Sequence, residues 1–410
     1  MLANVIFRAT TKTGNLTIVD AGGKSRSYGD GTGPEVTIKL HDRLVEWNIF
    51  RNPRLGVGEA YMDGRLTIEK GSLRDFLSVC TSNIVALQNI PLISKFDRLA
   101  DLVRYLQTFN PVPRARRNVA HHYDLSGELY DLFLDWDRQY SCAYFDHPEQ
   151  SLEVAQLNKK RHIAAKLLLD RPYLKVLDIG SGWGGMGLYL AETVGADVTG
   201  LTLSSEQHRI SNERAGRAGL GDQVRFELQD YRLAEGTYDR IVSIGMFEHV
   251  GPAHFREYFR KAKSLLRPDG VMLLHSIGHY DTPCITNPWI TKYIFPGGYV
   301  PALSEVLAAI EKAGLVVTDI EILRYHYAET LKNWYQRFRA NKEKVLRLYD
   351  ERFYRMWEFY LLGCEQGFRN SGMMVFQIQL ARRMDAVPTQ RDYIIDWERG
   401  QKTTASRAAE

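Results

Sequence analysis

One stretch constrains this chain more than any other: YLKVLDIGSGWGGMGLYLAETVG, residues 173–195. A short apolar run closes on a carboxylate, a glycine-rich turn follows, and apolar residues then recur at helical spacing. That order reads as strand, tight turn and helix. Gly180, Gly182 and Gly185 form a literal G-x-G-x-x-G. Glycines there let the backbone approach a ligand closely at a helix N-terminus, although any one of them reads equally as a turn residue. The pattern repeats downstream through ADVTGLTLS, SEQHRISNERAGRAG, VRFELQD, YDRIVSIGMFEHVG and GVMLLHSIGHY. Alternating strands and helices predict a doubly wound, mostly parallel α/β sheet, with ligand beyond the carboxyl ends of its strands. A dinucleotide enzyme places a carboxylate at the end of the second strand for the ribose. Here that strand ends LTLSS, residues 201–205, which argues against NAD.

The 410 residues suggest two or three domains, and a composition 44% hydrophobic and 25% charged can fill their cores. A net charge of +4 is too small to argue for nucleic acid. The cysteines at 80, 142, 284 and 364 form no CxxC pair, so neither a zinc cluster nor a disulfide framework is expected. The start MLANVIFRATTKTGNLTIVD lacks a signal-peptide pattern, and no run of about twenty apolar residues spans a bilayer. The expected location is cytoplasmic.

Ahead of the α/β region, GNLTIVD, AGGKSRSYGDGTGP and EVTIKL predict a hairpin or small sheet, and helical spacing follows from Ser72. The expected organisation is a small α+β domain over 1–109, a basic proline-containing linker NPVPRARRN at 110–118, a catalytic domain over 119–395 and a frayed tail over 396–410. The linker's arginines read either as a solvated connector or as a strip near lipid headgroups.

VLDIGSGWGG resembles the first motif of class I methyltransferases, which bind S-adenosylmethionine. Together, YSCAYF, VLDIGSGWGG, GLTLSSEQ, DRIVSIGMFEHVG, VMLLHSIG, IFPGG, HYAETLKNW and YLLGCEQGFR resemble the cyclopropane fatty acid synthase family over roughly residues 115–385. The leading segment, with LGVGEAYMDGRLTI, resembles the N-terminal, lipid-binding-like domain of the bacterial phospholipid-acting members. The resemblance implies transfer of a methyl group from S-adenosylmethionine to a cis double bond of an acyl chain. A base then removes a proton from the new methyl, and the ring closes. Such chemistry needs a dry apolar slot, because water would quench the cation.

In the family the base is a bound bicarbonate, and the matching positions here are Cys142, Glu248, His275, Ile277 and Tyr327. Cys142 and Ile277 would offer backbone N–H groups, the other three side chains. A nucleophilic or merely packed Cys142 is the alternative, as core packing is for His275 and Tyr327. Glu248 beside an anion is a like-charge pair, so either the two share a proton or Glu248 is protonated and donates to the anion. Cys364 matches a pocket-lining cysteine. The resemblance assigns Tyr140, Ser141, Asp178, Gly180, Gly182, Gly184, Thr202, Leu203, Gln207, Gln229 and Asp230 to the cofactor, and no metal. Trp289, Tyr293 and Phe295, in the insertion NPWITKYIFPGGYVP, are candidates for an acyl channel or for a folded-back core loop. The implied partners are membrane phospholipids, contacted peripherally at the inner face of the membrane, and a homodimer is open. Rivals are methyl-, methylene- or hydroxyl-forming relatives of the same reaction, amine N-methylation, and a non-catalytic lipid binder.

Overall fold

The computed structural model describes residues 3–88 and 127–409, and the linker expected at 110–118 lies outside the described residues. The chain divides into two compact units, each assembled from separated segments.

The first unit comprises residues 1–107, 284–296 and 328–373. Its sheet contains β1 (Asn15–Val19), β2 (Ser25–Tyr28), β3 (Glu35–Leu40) and β4 (Leu66–Lys70), in the order β2-β1-β3-β4. The stretch read as a glycine-rich turn contains β2, antiparallel to β1, and β3 joins β1 in parallel, so GNLTIVD and EVTIKL share a small sheet and are not the two arms of a hairpin. EVTIKL shows why one face is buried: Val36, Ile38 and Leu40 alternate inward while Glu35, Thr37 and Lys39 do not. Phe76 from helix Leu73–Ser82 and Ile49 from helix Arg43–Arg51 close over that face. Ser72 and Asp75 form a capping box that starts the first of these helices. Leu362, from helix Glu351–Asn370, lies in the same core, so the late segment completes the early domain.

The second unit comprises residues 108–283, 297–327 and 374–410. It is built on β5 (Lys175–Ile179), β6 (Asp197–Thr202), β7 (Val224–Leu228), β8 (Tyr238–Ile244), β9 (Leu266–His279), β10 (Val316–Leu323) and β11 (Met373–Ala381). The sheet order is β10-β11-β9-β8-β5-β6-β7. β5 through β9 pair in parallel, and β10 runs antiparallel to β11, which gives the expected doubly wound, mostly parallel sheet. The order reverses between β5 and β8, and the crevice at their carboxyl ends is where such sheets bind ligands. Helices Phe255–Leu265 and Leu303–Ala313 cover one face. Helix Gly185–Val194 packs with the other core cluster.

Where the sequence predicts a frayed tail, the structure has a helix, Asp392–Ala409. Ile394 is buried, and Glu398 Oε1 lies 2.7 Å from His162 Nδ1. Trp397 packs against the core and Tyr393 Oη accepts from Gln379 Nε2, and these few contacts dock a helix that is otherwise polar in sequence. No helix among the described residues is long and apolar enough to cross a membrane.

Candidate active site

A cavity opens at the carboxyl ends of β5, β6 and β8. Tyr140, Ser141, Asp178, Gly180, Gly182, Thr202, Leu203, Gln207, Gln229 and Asp230 line it, so ten of the eleven expected cofactor residues converge. Backbone sterics make this possible. Gly180 has φ +87°, and a Cβ there would lie 2.7 Å from Met246 Cβ. Gly180 N and Ser181 N both donate to Leu201 O, at 3.0 and 2.9 Å, which ties the turn to β6.

The eleventh residue, Gly184, lies elsewhere. Gly184 does not line the cavity; it is the left-handed N-cap of helix Gly185–Val194, and a Cβ would lie 2.6 Å from Phe226 Cζ. Gly185 lines the cavity instead, with space for no side chain beside Gln139 and the Asp137 carboxylate. A literal glycine pattern does not separate the glycine that turns the chain from the one that faces the ligand.

Several side chains around the cavity hold one another. Thr202 Oγ1 donates to Gln207 Oε1 at 2.8 Å. Asp230 accepts from Arg232 Nε at 2.9 Å and Nη2 at 2.7 Å. Asp178 differs: it is buried, and its Oδ2 has no hydrogen-bond partner. Burial pushes its carboxyl up to about 7, against the opposing field of Lys159. An orphaned acceptor facing a glycine cradle fits a cationic or N–H-bearing cofactor such as S-adenosylmethionine.

The sign of this shift yields a stability prediction. The folded-state pKa lies above the unfolded one, so folding binds a proton between about pH 4 and pH 7 and stability falls with rising pH across that window. Asp178→Asn removes the penalty. Its stabilisation should be absent near pH 4 and reach at most about 4 kcal/mol above pH 7. Calorimetric melting of the ligand-free protein at pH 4 and pH 8 checks this. An equal gain at both would show that the desolvated charge is not the cause.

Beside the cavity lies the expected anion set. Glu248 follows β8 in the turn Phe247–His249, and His275 and Ile277 lie near the end of β9. Ile277 N donates to Glu248 Oε1 at 2.6 Å, so the amide expected to face an ion has the carboxylate as its partner here. Glu248 Oε2 is buried with no hydrogen-bond partner. Burial pushes this carboxyl up to about 7, despite the Ile277 hydrogen bond. His275 is buried, and its pKa is held well below the usual value by desolvation and then by the cations Lys159 and Lys166. Cys142 is buried, and its Sγ contacts Ala143 O at 3.3 Å as a wall residue would. Tyr327 is buried and follows His326, whose Nδ1 accepts from Phe145 N at 3.0 Å; this places it beside the Cys142 segment.

Four expected site residues belong to the first unit: Trp289, Tyr293, Phe295 and Cys364. Trp289 is buried against Phe359, with ring centroids 4.8 Å apart, and Tyr293 donates to Glu59 Oε1 at 2.7 Å. Phe295 packs edge-on against Tyr360 at 5.9 Å. Burial pushes the Cys364 thiol up to about 12. All four are built into that unit's own packing.

Sequence reasoning missed Lys159. Its Nζ donates to Ser141 Oγ at 2.9 Å and to Gln139 Oε1, and the residue is wholly buried. Its helix, Leu152–Lys166, reverses the usual pattern: Lys159, Lys160 and Lys166 are buried while Val154 and Leu157 are 44% and 38% exposed. Three lysines facing inward are the signal, and hydrophobic periodicity cannot find them.

Residues 112–378 match the mycolic acid cyclopropane synthetase family, and residues 4–87 match a domain of unknown function. A cyclopropane-fatty-acyl-phospholipid synthase of Escherichia coli K12 is 37% identical over 360 residues, 87% of this chain and 90% of its own. A tuberculostearic acid methyltransferase of Mycobacterium tuberculosis is 35% identical over 401 residues, 93% of this chain and 91% of its own. The solved mycolic acid cyclopropane synthase CmaA1, complexed with SAH and CTAB, superposes with a TM-score of 0.61 at 34% identity, covering 66% of this chain and 99% of that one. The cavity, its glycine turn and these likenesses agree: the chain belongs to the mycolic acid cyclopropane synthetase family and is an S-adenosylmethionine-dependent methyltransferase.

Proposed function

We propose that the protein converts cis double bonds in phospholipid acyl chains to cyclopropanes, with a bound bicarbonate as base. Bound S-adenosylmethionine supplies an electrophilic methyl carbon, and loss of a proton from that carbon closes the ring. The observation that carries this reading is the buried pairing of Glu248 with Ile277 N beside a neutral His275. A carboxyl titrating near 7 can hold a proton against an anion, so Glu248 and bicarbonate share one rather than repel. Glu248 Oε2 is available for that contact. Gly180, Gly182, Gly185 and Asp178 would hold the cofactor, and Tyr140 and Ser141 would meet its methionine end.

A second reading has its own support. The Mycobacterium tuberculosis relative is named a methyltransferase of tuberculostearic acid, which favours a methyl-branched product. Purified protein, S-adenosylmethionine and vesicles of cis-monounsaturated phospholipid decide between them. Upfield ring protons with a one-CH2 mass gain establish cyclopropanation. Vinylidene protons indicate a methylene product, and a saturated methyl branch formed only when a hydride donor such as a reduced nicotinamide is added with a reductase indicates the second reading.

A phospholipid substrate requires docking at a membrane. Helix Arg43–Arg51 exposes Leu44 and Trp47, at 56% and 45%, on one face, with arginines at both ends. That arrangement suits the headgroup boundary. Leu44→Gln with Trp47→Gln should lower activity on vesicles about tenfold or more, since inserting two such side chains is worth roughly 3–6 kcal/mol. Activity on a water-soluble short-chain substrate should stay within about twofold. Equal losses on both would remove the docking role.

A further inference from the structure

The second unit buries two glutamines on β11 for which the site described so far has no task. Alternation along MMVFQIQLA sends Met374, Phe376, Ile378 and Leu380 into the core cluster. Gln377 and Gln379 occupy the other face, 0% and 1% exposed. A buried amide costs about 1–3 kcal/mol unless its donors and acceptor are satisfied. Gln379 holds structure: it donates to Lys166 O and to Tyr393 Oη, and accepts from Thr318 Oγ1. Gln377 is placed differently. Its Oε1 lies 2.8 Å from Lys166 Nζ, and its Nε2 lies 3.2 Å from His275 Nδ1.

The order of these groups fixes a proton. Lys166 Nζ contacts Glu321 Oε2, with Asp319 Oδ2 at 3.8 Å; burial lowers its pKa, the two carboxylates oppose that, and as an ammonium it has no lone pair to offer. Gln377 therefore turns its carbonyl to Lys166 and its NH2 to His275. An NH2 group needs a lone pair, so Nδ1 of His275 carries no proton. A neutral imidazole has one N–H, which is then on Nε2. We infer that Lys166 and Gln377 lock His275 in the Nε2–H tautomer and so make it a hydrogen-bond donor to the anion of the base site. The chain of contacts continues outward: Glu321 Oε2 lies 2.6 Å from His162 Nε2, and His162 Nδ1 lies 2.7 Å from Glu398 Oε1 on the last helix. His275 then holds the anion through N–H and does not itself take the proton. Gln377 and Lys166 are positioning residues, and the inference rests on reading His275 as part of the base site.

Gln377→Glu is the sharp test because it preserves shape and inverts the hydrogen-bond sense. A carboxylate at 377 still pairs with Lys166, but toward His275 it can only accept, which draws the proton to Nδ1. Protein labelled with 15N-histidine, free of ligand, reports the protonated nitrogen through long-range proton–nitrogen correlations, with His275→Gln identifying the resonances. The expected result is Nε2–H in the natural protein and a protonated Nδ1 in Gln377→Glu. Turnover should fall at least about tenfold, since a misplaced imidazole proton can cost up to about 10⁴-fold, while KM for S-adenosylmethionine stays within about twofold. Gln377→Met, which removes the lock without adding charge, should show both tautomers and guards against a folding defect in the glutamate variant. A proton on Nδ1 in the natural protein overturns the inference. So does an unchanged Nε2–H in both variants, or full turnover with an inverted tautomer. Failure of the natural protein to modify lipid would sink the functional reading instead, and the tautomer result would still decide the lock.

Discussion

Turnover is expected to fall by about 10²–10⁴-fold in Glu248→Leu, the range for losing a group that manages a proton in the rate-determining step. Cofactor affinity should stay within about twofold, because Glu248 is not among the residues lining the cavity. Leucine removes both the acceptor for Ile277 N and the carboxyl proposed to share a proton with the base. Glu248→Gln separates them. Glutamine can still accept from Ile277 N, but it cannot exchange a proton with the anion. A rate intermediate between leucine and glutamate, with a raised bicarbonate requirement, is the expected outcome. Full activity and an unchanged bicarbonate response in Glu248→Gln would eliminate proton sharing as the role of this residue. Steady-state rates across added bicarbonate, with calorimetric titration of cofactor, provide both readouts.

Gly180→Val should weaken S-adenosylmethionine binding by about 100-fold or more. Two penalties coincide there. A φ of +87° costs a side-chain-bearing residue about 1–2 kcal/mol. The new Cβ would also stand 2.7 Å from Met246 Cβ, and such overpacking typically costs about 1–3 kcal/mol. Either backbone or Met246 must move, and both border the cavity. Gly182→Ala is the matched control. Its φ is also positive, at +55°, but a Cβ there meets nothing within 4 Å, so a loss of about tenfold or less is expected. If Gly180→Val melts cooperatively and binds cofactor as the natural protein does, the cavity is not the cofactor site.

The parallel sheet was legible in the sequence because its central strands are buried on both faces and read as nearly continuous apolar runs, as in VLDI and GVMLLHSIG. The glycine turn was legible for a related reason: a φ of +87° with Met246 so close favours glycine at Gly180, so geometry leaves a trace in residue type. Lys159 left none, since its importance comes from burial, and composition reads lysine as surface. Gln377 was hidden in the same way. Trp289 and Tyr293 looked like channel lining because aromatic residues in an insertion suit an apolar slot. Their contacts with Phe359 and Glu59 join segments far apart in sequence, which no local pattern encodes. The tail helix is held by Ile394, Trp397 and Tyr393 within one short turn, too short a run for periodicity to detect.

The core of the first unit contains Leu16, Ile38 and Phe76 together with Leu362. On the ribosome this imposes a wait. At about 5–20 residues per second, tens of seconds separate the emergence of the early strands from that of the helix that seals them. During that interval the helices that carry Ile49 and Phe76 cover the sheet but the place of Leu362 in the core stays open, and a nascent chain in this state is a natural client for a holdase. Slower decoding between residues 107 and 328 would lengthen the exposure, whereas substitutions confined to the finished protein's surface would leave it unchanged. Yield in cells should therefore track chaperone supply during synthesis more closely than it tracks the melting temperature of the completed protein.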